Sequence, residues 1–179
     1  EALREARARV AEYTTAAAAK RERRQINAQI TVHVQQIAAT KRQIEQKAGD
    51  ISQFLRNAVP NEPQRTFAII SLCKRVLTQC DSQVSKLNRF AFALAEVAVR
   101  VAVDVPDFGV ILVALLHESC VLAVPKYYPF VQGRYTSDEE YFKLMGYVAA
   151  EDQSGAAEGT TALETTDNFC QRLRGFMLF

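Results

Sequence analysis

Apolar residues recur every three or four positions along most of the chain, and no stretch shows the strict alternation of a half-buried strand. Residues 1–24 are rich in Ala, Arg and Glu, all strong helix formers. Within them Leu3, Ala6, Val10, Tyr13 and Ala17 follow the three–four spacing of a coiled-coil seam. A second helical pattern runs from Ile26 to Leu55, with Ile30, Val34, Ile37, Ile44, Ala48, Ile51 and Leu55 on one face. Lys41 interrupts that face, although its aliphatic stem can cover apolar surface. Gly49 weakens the helix by about 1 kcal/mol relative to Ala. The run "NAVPNEP" then ends it, because Pro60 and Pro63 cannot continue a helix. A third amphipathic helix is predicted over 64–88, where Phe67, Ile70, Cys73, Leu77, Cys80, Val84 and Leu87 oppose Lys74, Arg75, Asp81 and Lys86. A fourth covers about 89–103, and a fifth opens near Asp107, whose charge suits a helix N-terminus, and runs to about Ser119.

The pattern changes at "VPKYYPFVQGRYTSDEEYFKLMGY", residues 124–147. Two prolines bracket a pair of tyrosines, and "TSDEE" then carries a capping box. Ser137 can hold first-turn amides while Glu140 reaches back. A short helix over 138–145 is expected to close on Gly146 in a left-handed conformation. Residues 148–166 are small, polar and acidic, which predicts a mobile loop, and Thr166 or Asp167 begins a last helix. The fold class is therefore all-α: successive antiparallel helices, helical-repeat-like in their element lengths, preceded by a long basic helix. The division expected is a helical or coiled-coil arm over 1–25 and an all-helical domain over 26–179.

Composition supports long elements: seven Gly and five Pro in 179 residues are too few for a sandwich or barrel with a turn every ten residues or so. Charge is unevenly placed. Residues 1–47 carry ten Lys/Arg against five Asp/Glu, and the remainder twelve against fifteen. A basic lead-in to a mildly acidic body suits an acidic partner surface, phosphate or nucleic acid, and equally a solvated helix face. Cys73, Cys80, Cys120 and Cys170 lack the close pairing of a zinc site and read as reduced core thiols of an intracellular protein. Glu96, Arg100, Asp104 and Asp107 break the apolar region 90–116, so no membrane insertion is expected, and Glu96 and Arg100 form an i,i+4 pair. No signal peptide or initiator Met opens the sequence, and both ends look cut, as in a fragment of something longer.

Candidate chemistry is sparse. No phosphate-cradling Gly loop, zincin motif, nucleophile elbow or dinucleotide fingerprint is present. His117 and Cys120 stand at i,i+3, but Cys120 leads into an apolar segment, which favours a core cysteine beside a helix-end histidine. His33, between two valines, reads as a core-edge or surface residue. Asp138, Glu139 and Glu140 are accounted for by helix capping, so no metal site is predicted. Tyr127, Tyr128 and Tyr135 with Arg134 either stack on bases or pin the connector onto the helical body. "KRERR", Lys20–Arg24, spreads around a helix and makes no single stripe.

"CVLAVPKYYPF", "DEEYFKLMGY" and "DNFCQRLRGFMLF", with "RRQIN" at 23–27 and "CKRVLTQCDSQV" at 73–84, resemble the C-terminal domain of the Gle-one (GLFG-lethal) mRNA export factors. The resemblance covers most of 23–179 as scattered motifs and is densest over 120–147. It implies an all-helical, HEAT-like domain related to the middle domain of translation initiation factor four-G, of which residues 26–179 are expected to hold the first half or more, truncated at the C-terminus. It also implies a non-enzymatic factor at the cytoplasmic face of the nuclear pore, in nucleus and cytoplasm. Such a factor binds and stimulates a DEAD-box RNA helicase ATPase, works with nucleoporins, and reaches messenger ribonucleoprotein indirectly.

In fungal members inositol hexakisphosphate bridges factor and helicase. Carried over by position, Lys74 matches a lysine of that polyphosphate pocket, while Thr78 stands where a histidine would be. Leu115 replaces an arginine, and Glu118 and Ser119 replace a lysine pair. Lys74 and Thr78 are thus the ligand candidates, with most pocket cations absent. Lys74, His117, Glu118, Ser119, Lys41 and Arg42 are the partner-contact candidates. Two other readings are a pore or helical scaffold without effect on an ATPase, and an RNA-binding basic helical arm.

Overall fold

The computed structural model describes residues 1–58, 61–80, 88–124, 128–150 and 163–179, and most of these residues are helical. Helices α1 (Ala2–Thr15), α2 (Lys20–Gln35) and α3 (Lys41–Gln53) are followed by a π-helical turn, Phe54–Ala58. Helices α4 (Glu62–Gln79), α5 (Asn88–Asp104) and α6 (Pro106–Ser119) complete the body, and α7 (Asp138–Leu144) and α8 (Thr166–Leu178) follow the connector. An isolated antiparallel bridge joins Ala149 to Leu163.

Helix α4 is the hub. Ala68, Ile69, Leu72, Cys73, Val76 and Leu77 bury most of its circumference, as a helix walled by neighbours must. Those neighbours are α1, α2 and α6, while α3 packs on α5, α5 on α6 and α8 on α5. One continuous apolar cluster runs from Leu3 in α1 to Phe176 in α8. Cys73, Cys80 and Cys120 are buried within it, in no disulfide, and Cys170 is exposed. Burial pushes the Cys73 thiol far above its ordinary value, and its Sγ lies 3.6 Å from the Phe108 carbonyl.

The two helices expected over 1–24 and 26–55 become three. Helix α1 stops at Thr15, although the alanines after it favour helix, and Ala16 leaves helical geometry at φ −58°, ψ 119°. Arg23 on α2 stabilises that stop by donating Nη1 to the Tyr13 and Ala16 carbonyls at 2.6 and 2.8 Å. A guanidinium thus does the work of a C-cap glycine. Leu3, Ala6 and Val10 are buried as the seam predicts, but against α4 and α6 of the same chain; Ala17 is exposed. The expected boundary at residue 25 falls inside α2. A second break separates α2 from α3, whose N-cap is Thr40 in an extended conformation. Lys41 therefore opens a new helix and does not interrupt an old one. The shared face from Ile30 to Leu55 is buried as read.

Helix α7 begins as its sequence predicts, with Ser137 Oγ accepting the Glu140 amide at 3.3 Å. The reciprocal bond is displaced by one residue, since the Glu140 carboxylate takes the Thr136 amide and hydroxyl at 2.8 and 2.6 Å. Those bonds lower the Glu140 pKa. Gly146 caps α7 at φ +93°. The expected loop over 148–166 is held at its described ends by the Ala149–Leu163 bridge and by Arg172. The remainder of that expectation (151–162), Val84, Leu87 and Tyr127 lie outside the described residues.

Candidate functional site

Helices α2 and α4 enclose a shallow cleft of about 420 Å³. Asn27, Ile30 and Thr31 line one wall, and Phe67, Ser71, Lys74, Arg75 and Thr78 the other. The floor is apolar, since Ile30 is 2% exposed. The rim carries two cations and four amide or hydroxyl groups, and no carboxylate is among the lining residues. Lys74 and Thr78 face solvent one turn apart, and the Thr78 hydroxyl donates to the Lys74 carbonyl at 2.9 Å. The Arg75 Nε is buried without a hydrogen-bond partner.

The structure brings Lys74 close to the C-terminal end of α6. Glu118 there makes a two-pronged ion pair with Arg7 of α1, at 2.8 and 2.7 Å across 111 residues of sequence. That bond, chiefly, holds the Glu118 carboxyl below its ordinary range, and Lys74 adds to the effect; Arg7 is raised in turn. His117 and Ser119 flank it, exposed. Leu115, one turn earlier, is 4% exposed and points into the core. Cys120 is 1% exposed, which leaves its thiol in the core and gives His117 no nucleophile to activate. Lys41 and Arg42 sit elsewhere, exposed at the start of α3.

The connector aromatics pin the chain. Rings of Phe130, Tyr135 and Tyr141 pack at 5.2–6.3 Å, Phe142 continues to Tyr147, and Tyr147 stacks on Phe169 of α8 at 4.0 Å. Tyr135 and Tyr141 spend their hydroxyls on the Pro129 and Tyr128 carbonyls. These are anchoring contacts within the connector and onto α7 and α8. His33 is a core-edge residue whose ring lies 5.6 Å from Phe54; burial, then Lys47, lowers its pKa against the opposing pull of Asp50.

Arg7, Asn27 and Thr31 were not legible as site residues. Arg7 carries no local signal because its partner is distant in sequence, and α2 reaches the cleft only through its packing on α4. Of "KRERR", Arg23 turns back to α1 and Glu22 bonds Gln64 and Tyr13, so Lys20, Arg21 and Arg24 are left exposed. Among the described residues no group of three or more His, Cys, Asp or Glu is placed to hold a metal, and no helix is long and apolar enough to cross a membrane.

Comparison with known proteins gives this surface a context. This chain is 29% identical over 154 residues to the mRNA export factor GLE1 of Dictyostelium discoideum, covering 86% of this chain and 18% of that protein. The Danio rerio mRNA export factor GLE1 is 32% identical over 111 residues, 62% of this chain and 14% of its own. This chain therefore spans under a fifth of the curated relatives it matches. The fold is similar to a chain of a solved S. cerevisiae complex in which a Dbp5 C-terminal domain is bound to Gle1 and IP6. There the TM-score is 0.76 at 15% identity, covering 94% of this chain and 53% of that one. A second such complex gives 0.73 at 13% identity, over 91% and 50%. The family model described as GLE1-like protein matches residues 1–179. The chain belongs to the GLE1-like protein family.

Proposed function

We propose that this chain is the helical unit of an mRNA export factor that grips a DEAD-box RNA helicase at the cytoplasmic face of the nuclear pore and stimulates its ATPase. It acts by contact and carries out no chemistry of its own. Nucleoporins hold such a factor at the pore, and messenger ribonucleoprotein is met through the helicase. The observation that carries this reading is the family match along the whole chain, joined to a fold shared with a chain of the Dbp5, Gle1 and IP6 complex.

The contact surface we assign is the exposed band formed by Lys74, Thr78 and the α6 end, His117 to Ser119. Its residues do not fit a polyphosphate. A multiply charged anion needs several converging cations. Here Leu115 is buried, Glu118 brings a carboxylate, and Arg7 is already engaged by that carboxylate. We therefore infer that the helicase contact is direct. The test measures RNA-stimulated ATP hydrolysis by the cognate helicase with the whole chain added, with and without inositol hexakisphosphate. Stimulation should be the same in both arms, and Lys74→Glu should reduce it by about tenfold, the effect of about 1.4 kcal/mol at the contact. Absence of stimulation would overturn the activator reading. Stimulation only with the polyphosphate would overturn the direct contact alone.

A further inference from the structure

Lys20, Arg24, Asn27 and Thr31 fall at i, i+4, i+7 and i+11 along α2, a spacing that places them on one face over about 16 Å. The far end of that face is the α2–α4 cleft, which Asn27 and Thr31 line together with Phe67, Ser71, Lys74 and Arg75. Among the described residues Lys20, Arg24 and Lys74 have no ion-pair partner within 4 Å, in contrast to Arg7, Arg9, Arg56, Arg100 and Arg172. Of the nearby carboxylates, Glu118 is paired with Arg7, and Glu22, two residues from both Lys20 and Arg24, stands off their face and bonds Gln64 and Tyr13. A line of uncompensated cations that ends in a pocket with an unpartnered buried Arg75 Nε has the electrostatics of an anion track.

The cleft adds more than charge. Phe67 is half-buried there, its ring held edge-on by Tyr13 at 5.5 Å. An apolar aromatic wall, an amide that both donates and accepts, and hydroxyls beside two cations make the chemistry of a nucleotide: a base to stack, a ribose to hydrogen-bond and a phosphate to neutralise. An acidic polypeptide would use the cations and leave the aromatic and the amide idle. We propose that the α2–α4 face binds single-stranded RNA. The sugar–phosphate backbone runs along Lys20 and Arg24 toward Lys74 and Arg75, and one base lies against Phe67. The cleft shares Lys74 and Thr78 with the proposed helicase contact, but its test measures RNA binding without a helicase and so stands apart from that reading.

The experiment is fluorescence anisotropy of the whole chain with a labelled single-stranded RNA of about 12 nucleotides, a length within the usual site size. With about four phosphates neutralised, affinity should fall about 50-fold between about 50 and about 200 mM salt. Replacing Lys20 and Arg24 together by Gln should weaken binding and remove about half of that salt dependence. Phe67→Leu should weaken it about tenfold with the salt dependence intact, the loss of one stacked base. Lys20 and Arg24 are exposed, so their variant keeps the test decisive even where a change at Phe67 perturbs folding. Three results would overturn the proposal. One is no binding at the lower salt. Another is the same affinity and salt dependence in the Lys20/Arg24 variant. The third is competition by polyglutamate equal to that by unlabelled RNA, which would make the face a seat for an acidic protein.

Discussion

A Cβ at position 146 would stand 2.8 Å from the Val121 side chain, and the backbone there is left-handed at φ +93°. Both facts forbid a larger residue. Gly146→Ala should therefore destabilise the chain by about 2–3 kcal/mol. Gly49 is the opposite case: it lies within α3, and a Cβ there meets nothing within 4 Å. Gly49→Ala should stabilise by about 0.5–1 kcal/mol through lower unfolded-chain entropy. Thermal unfolding should show the two midpoints moving apart, by about 2–4 °C per kcal/mol for a chain this long; shifts of the same sign would contradict the assignment. Roles set within a few residues were legible in the sequence, as with Gly146 and the Ser137 cap. Arg23 was not: on its own helix it is one more surface cation, and only the fold shows it facing the α1 carbonyls.

At the scale of elements, periodicity and capping signals put a helical reading on every helix among the described residues but misjudged where two of them break. The apolar face from Ile30 to Leu55 stays in phase across the α2–α3 junction, so nothing in the period betrays the turn, and Thr40 is one of several short polar residues that could cap. Composition predicts a loop after α7 and carries no sign of a buried tie. Arg172 of α8 donates to Glu164 at 2.5 Å and to the Gly146 carbonyl at 2.7 Å, while Glu164 also accepts the Val148 amide at 3.0 Å. The pair's side chains are only 7% and 8% exposed. Removing one partner leaves a buried charge unpaired, so Arg172→Met should cost about 3–5 kcal/mol. Glu164→Gln keeps an acceptor for the amide and should cost less. The double variant should be milder than the sum by about 1–3 kcal/mol, since no stranded charge remains. Chemical denaturation of the four proteins measures that coupling. Simple additivity would mean that α8 is held by its apolar face alone. The exposed Lys143–Glu139 pair is the control, and breaking it should cost no more than about 0.5 kcal/mol.

For the whole molecule the decisive question is whether residues 1–15 form an arm or part of the body. The sequence suggested an arm because a three–four seam looks alike whether its partner is another chain or a neighbouring helix. In the structure Leu3 and Val10 are each 7% exposed and Ala6 is fully buried, against α4 and α6. Burying Leu3 and Val10 is worth at most about 3–6 kcal/mol, a bound that assumes a fully extended unfolded chain. The Arg7–Glu118 pair adds little beside this: both side chains are about half exposed, at 48% and 49%, and such pairs contribute no more than about 1 kcal/mol. Helix α1 should therefore be attached by its apolar face, with the ion pair fixing only its register against the α6 end. A chain beginning at residue 20 should lose several kcal/mol and expose apolar surface on α4 and α6, while Glu118→Gln in the full chain should leave stability almost unchanged. Denaturant unfolding distinguishes the cases. If the shortened chain is as stable as the parent, α1 is an arm that merely rests on the body. If it is destabilised, the surface around Lys74 and Glu118 is built by α1 together with α4 and α6, and a partner that reads it reads the assembled domain.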